Sequence, residues 1–341
     1  MKTRRRVWRQ IRSKILRRHK SEECHTPATE FEEICSTSAD LAELGGNLSI
    51  QFADNATPQP GSHLAVLKVL QSQRTPNPWR SDDVAFLAEA LKGLLGIAGS
   101  QLRGMSKLVS EGPPVMMHPL VTAVRGVAEA CGTIAWLIEP WVVPDGEDDE
   151  GDDDAWWDVS QSTLARSELL QLEARINRVK RLKAAFTIDQ PNLDTAEVVL
   201  EALRTDLESN HGFEDVSVRG NQRQSLRIKG ERFETYSELV SMAVEYSYGA
   251  KHRGSGMTPY PLFSGFAHAS LEVLFSQAPI IGRPGMSTLF EAEPGEVRDV
   301  MAQGLRLMEA HYEMVATAFG LNLRLLNSFR DGVREFIEKT N

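Results

Sequence analysis

Residues 118–140, HPLVTAVRGVAEACGTIAWLIEP, constrain this chain most. The stretch is apolar on nearly every side when wound as a helix, and a helix that is hydrophobic all round belongs inside a protein. Yet it carries Arg125 and Glu129, one turn apart. Charged side chains are almost never buried alone, so this pair must meet each other, a partner elsewhere in the fold, or a ligand. The length approaches a bilayer span. In lipid, however, Arg125, Glu129 and Glu139 are costly, whereas a protein interior pairs them, and we read a core helix.

Around that centre the apolar periodicity is mostly helical. Residues 21–62 are polar and rich in Ser, Thr, Gly and Pro, which predicts loops with one short helix around Glu30 to Cys35. From Ser81 as N-cap, with Asp82 and Asp83 in the first turn, a helix runs through Leu87, Leu91, Leu94 and Leu95 to about Val109. Gly93, Gly96 and Gly99 lower its propensity and would let another helix approach closely. Pro113 and Pro114 end it. Further helices are expected over 160–186, over 194–210 from a capping-box-like Asp194 and Glu197, and over 235–251, 261–277, 294–319 and 320–339. Val216 and Val218, then Leu226 and Ile228, alternate with polar residues around Gly220-Asn221 and predict a small hairpin. No period of about 20 to 50 residues repeats, which argues against a solenoid. The expected fold is all-α, a helical bundle with a small β-hairpin insertion. Its helices 118–139, 160–186 and 261–277 form the centre, and its halves 63–140 and 159–341 pack as one domain.

Charge is unevenly spread. Residues 1–20 hold ten Lys or Arg and no acid, so with a net charge of −9 for the whole chain the rest carries −19. An acidic body argues against a general nucleic-acid surface and leaves the arm as the candidate contact for RNA or anionic lipid. In the arm, Val7, Trp8, Ile11 and Ile15 recur at helical spacing, the pattern of a short basic amphipathic helix. A solvated tail is the expected reading, and an Arg-rich presequence a further one in a eukaryotic host. No uninterrupted apolar run follows the charges, as a secretory signal would require. Residues 141–158 carry nine acids and read as a linker. Three scattered cysteines, Cys24, Cys35 and Cys131, fit a reducing cytoplasm, and no second pair joins Cys24 and His25 at zinc spacing, so neither metal nor other cofactor is expected.

A second candidate site is Ser264, His268 and Glu272, at i, i+4 and i+8 on one helix face. A Ser, His and carboxylate set suggests hydrolase chemistry, but a triad stacked along one helix has no obvious oxyanion hole, which favours a buried polar network. The pattern R-x3-E-x6-W (Arg125, Glu129, Trp136), followed by Y-x3-S-x3-H (Tyr260, Ser264, His268), resembles a group of bacterial all-α proteins similar to HEPN-like helical domains, over residues 118–280. The resemblance implies a helical bundle, and active HEPN members are ribonucleases with an R-x4–6-H motif. Arg12 to His19, Arg18 to His25, Arg204 to His211 and Arg306 to His311 all satisfy that spacing, so half of the eight histidines match, whereas His268 does not. Arg306 and His311 form the strongest pair because they lie in a well-defined helix. The Asp148 to Asp152 run matches the DDxxD pattern of class I terpene synthases, and Asn327, Asp331 and Glu335 sit as that family's second motif would. Lying in a Gly-bearing loop and at the extreme C-terminus, they read as coincidence. Walker A, GxGxxG, HExxH and GxSxG signatures are missing.

The expected function is therefore an interaction or regulatory protein, with a protein partner or a homo-oligomer and with a buried polar cluster that sets helix register. The alternative is a metal-independent ribonuclease or other hydrolase, with His268 or His311 as acid/base and Arg125 or Arg306 on phosphate. A second alternative is association with a membrane surface through residues 1–20.

Overall fold

Helix α4, Met117–Ile138, is enclosed by its neighbours as its composition demands, with both ends and both flanks of its apolar surface covered. It is long and apolar enough to cross a membrane, yet 78% of its most apolar stretch is buried inside the protein. The computed structural model describes residues 28–73, 79–80, 82–141, 153–185, 189–216, 222–249 and 292–338. Among them are nine helices and one small sheet. The architecture is all-α with a small β insertion.

Helix α1, Ala28–Asn55, replaces the loops expected over the middle of residues 21–62; residues 56–62 form a loop as expected, and residues 21–27 lie outside the described residues. Local propensity misleads here because tertiary packing supplies most helical stability. Cys35, Ala39, Ala42, Ser49 and Phe52 recur at helical spacing and are all buried. They form a stripe of mostly small side chains that lies against α3, Asp83–Ser110. The glycines make that approach feasible: a Cβ on Gly99 would sit 2.7 Å from Ser49 Cβ and 3.0 Å from the Gly46 carbonyl oxygen. Gly96 faces Ala53 in the same seam, whereas Gly93 faces open space. The short α2, His63–Gln73, follows α1.

Between α4 and α5 the structure departs from a simple acidic linker. Glu139–Trp141 is a 3-10 turn, and α5 starts at Asp153 and runs to Ala184, well ahead of the expected start at 160. Aromatic packing holds both ends in place, with His63 5.9 Å from Trp141 and 5.4 Å from Trp156, ring to ring. Residues 142–152, which include Asp148 to Asp152, lie outside the described residues. Helix α6, Gln190–Asn210, is capped by Asp189, whose carboxylate accepts from the Asn192 backbone N–H, with Pro191 in the first turn.

Three short strands follow. β1, Phe213–Asp215, pairs antiparallel with β2, Leu226–Ile228, with Phe213 opposite Ile228; β2 lies where the alternation predicts it, the first strand precedes Val216, and Val218 with the expected tip at Gly220-Asn221 lies outside the described residues. The sequence reading missed β3, Glu231–Arg232, which pairs with β2 through a turn at Lys229 and Gly230. Both turn residues have positive φ, 49° and 82°, as a type I′ hairpin requires. Helix α7, Tyr236–Tyr248, opens on a full capping box between Thr235 and Glu238. α8, Pro294–Phe319, stops at Gly320 in the left-handed region, and α9, Arg324–Glu338, packs back on α8 and α1. The expected helix 261–277 falls outside the described residues.

One hydrophobic core draws on all nine helices and β2. A small separate cluster, Val179, Leu193 and Ala196, sits where the far half of α5 meets the start of α6. The tip of the α5–α6 hairpin therefore has its own packing.

Candidate functional site

Arg125 and Glu129 do meet: Arg125 Nε donates to Glu129 Oε1 at 2.7 Å along one turn of α4. The interior position expected for them needs correction, because their side chains are 17% and 26% exposed. They lie with exposed His118 and Thr122 on the one open strip of α4, so neither charge is sealed. Ser264, His268 and Glu272 lie outside the described residues.

Arg306 and His311 diverge. Five residues turn a helix by about 140° beyond one full turn. Accordingly Arg306 faces α7, where Nε donates to the Ser247 carbonyl at 3.1 Å and the guanidinium lies 4.7 Å from the Tyr248 ring centre. His311 is fully buried in the core. Its Nδ1 is 2.7 Å from the Leu307 carbonyl, which requires the proton on Nδ1, and the Cys131 thiol donates to the same carbonyl at 3.7 Å. Burial pushes the His311 pKa down to about 4, so the ring is neutral at physiological pH; its bond closes within α8, and the Cys131 thiol is the group that links α4 to that carbonyl.

The densest polar constellation is elsewhere, at the root of the α5–α6 hairpin. Arg80, just before α3, reaches into it with its whole guanidinium edge. Nη2 donates to Glu168 Oε1 at 2.7 Å and to Gln171 Oε1 at 3.1 Å, both on α5. Nε donates to Asp83 Oδ1 and to Glu168 Oε1, each at 3.1 Å, while the Arg80 backbone N–H donates to Asp83 Oδ2 at 2.8 Å. Asp206 of α6 stands 3.8 Å from Nε, and Gln71 of α2 donates its side-chain N–H to the Arg80 carbonyl. One arginine thus links four helices.

Asp83 and Glu168 are both 1% exposed, and one guanidinium cannot balance two buried carboxylates. Burial, with the adjacent Asp83, pushes the Glu168 pKa up to about 9. Glu168 therefore keeps its proton at neutral pH. Beside this buried centre, His211 stacks on Trp79, with ring centres 4.5 Å apart and planes 24° apart, and Lys229 Nζ lies 4.9 Å from the Trp79 ring centre. Burial lowers the His211 pKa, and among the described residues neither ring nitrogen is hydrogen-bonded. Lys229 Nζ also donates to Gln161 at 2.7 Å, which fastens the β2–β3 turn to α5.

Chemically this arrangement is a clamp. Its carboxyl pair is occupied by Arg80, and its imidazole is covered by an indole. No group of three or more His, Cys, Asp or Glu side chains among the described residues is placed to hold a metal ion. The sequence reading took Asp83 as a first-turn acid and missed Glu168. The available signal was an acid flanking the α5 stripe of Ala165, Leu169 and Leu172, the same kind of signal that drew attention to Arg125 and Glu129.

No protein-family model, curated protein or solved structure matches the chain.

Proposed function

We propose that this protein acts by binding other polypeptides, with the α5–α6 hairpin as its contact element and the Arg80 clamp as the device that fixes the hairpin's register on the bundle. The observation that carries this reading is the hairpin itself. It packs partly outside the main core, and its outer helix α6 exposes Val198 to 69%, the most exposed large apolar side chain among the described residues. Val199 beside it is 37% exposed, and a partner seated on this apolar spot of a charged helix takes both side chains out of water. The hydrolase alternative draws no comparable support from Arg306 and His311, which point to different neighbours.

A photo-reactive amino acid in place of Val198, with Ile97 of α3, 53% exposed, as the control position, tests the reading in cells. Polypeptide adducts concentrated at position 198 are the expected result. Equal adduct yields at 198 and 97 would overturn it, as would purified protein that turns over RNA and loses that turnover in His311→Gln.

A further inference from the structure

The hairpin carries opposite charge on its two helices. The outer half of α5, residues 174–184, holds Arg175, Arg178, Lys180, Arg181 and Lys183 and no acid. Over residues 189–210, α6 with its cap carries Asp189, Asp194, Glu197, Glu201, Asp206 and Glu208 against Arg204 alone. Near the tip, Lys183 of α5 pairs with Glu197 of α6 at 2.7 Å.

Each helix also presents a shallow groove floored by small or apolar side chains. On α6 it lies between Val198, Ala202 and Thr205 and is rimmed by Glu201 and Asp206. On α5 it lies between Leu170, Ala174 and Asn177 and is rimmed by Lys180 and Arg181, with Glu173, which is paired with Arg223 at 3.1 Å, also on its wall. The α6 groove points away from the buried side of that helix, formed by Leu193, Ala196, Leu203 and Leu207. The two grooves thus have similar floors, and the rims differ in charge: acidic on α6, and on α5 basic apart from Glu173, whose charge Arg223 offsets.

We infer that a second copy of this chain docks here, the acid-rimmed face of α6 in one copy seating on the base-rimmed face of α5 in the other. This inference rests on the hairpin's being the contact element and names its partner. Charge complementarity selects the occupant: one hairpin supplies both halves of the contact, and pairing like faces would set acid on acid or base on base. Val198 and Ala202 then leave water against Ala174 and Leu170, while Glu201 meets the Arg178 and Arg181 side. Helices joined in this way pack as in a bundle, with alternating charge along the seam.

Sedimentation velocity of the full chain reads the association directly. The wild type is expected to self-associate, and more weakly as salt is raised. Glu201→Lys alone, and Arg178→Glu with Arg181→Glu, should each weaken association about tenfold or more. Combining all three substitutions in one chain should restore it. All three side chains are exposed, so circular dichroism melts should match wild type. A wild type that stays monomeric at low salt would overturn the inference, as would sensitivity to the α6 change without sensitivity to the α5 changes, which would place a different basic segment on α6. Selective adducts at position 198 with a protein other than this chain would also overturn it while leaving the contact-element reading intact.

Discussion

Glu168 shows how one residue turns burial into pH dependence. Folding raises its pKa from the ordinary 4.5 to about 9, so the folded protein holds a proton that the unfolded chain releases. The corresponding stabilisation is complete below about pH 4.5 and is lost as pH rises toward 9. Glu168→Gln keeps an acceptor for Arg80 and gains a permanent donor toward Asp83. Urea denaturation across that window should show wild-type stability falling with pH from this source and the variant's falling less, so that the variant gains on wild type at the alkaline end. An unchanged slope would show that Glu168 is ionised in the folded protein. His311 has the opposite sign: its pKa is depressed to about 4, so its contribution is present above the unfolded value and lost as pH falls through 4.

Among the elements, the α5–α6 hairpin depends most on a single contact. Glu168 and Gln171 belong to α5 and Asp206 to α6, yet all three converge on Arg80, and the separate tip cluster adds only a few apolar side chains. Arg80→Met removes the cation and leaves Asp83 without its counterion in a buried site. The expected cost is about 3 kcal/mol, tempered by the proton that Glu168 already carries. Amide exchange in Gln190–Asn210 should accelerate more than exchange in Met117–Ile138. Equal acceleration in both helices would mean that the clamp stabilises the whole bundle and does not specifically hold the hairpin. Helix α4 contrasts with α6: its packing against α7 is so close that a Cβ on Gly132 would strike the Leu239 backbone.

For the molecule as a whole, the division between one large core and the hairpin tip predicts a hierarchy of opening. Met117–Ile138 lies at the centre of the large cluster, whereas Leu193 and Ala196 belong to the small one. Native-state hydrogen exchange in rising denaturant should show the α4 amides exchanging only through global unfolding. The first half of α6 should exchange through a smaller opening, with a weaker denaturant dependence. A single opening free energy for both would mean that hairpin and core unfold as one unit.

Much of the fold was legible in residue order because the apolar helical period is a local property. Helix 118–139, the helix ending at Phe319 and the pairing of the strands around residues 213–228 were expected within a few residues of where they lie. The Arg125 to Glu129 contact was legible for the same reason, being one helical turn long. Helix α1 was not. Its residues gain helical stability only when Gly46 and Gly99 let two backbones close on each other, a contact between segments about 50 residues apart. The polar centre was not legible either, since Arg80 and Glu168 are 88 residues apart and nothing local pairs them. Nor does spacing reveal that Arg306 and His311 face different neighbours, because that depends on which helices pack around α8. Residue order was enough to place the helices whose apolar period stands on its own, and to show their apolar faces, because both follow from neighbours three and four residues away. Whether a segment like α1 becomes a helix, which charges meet and which are buried follow from packing, because these depend on segments that chain order does not bring together.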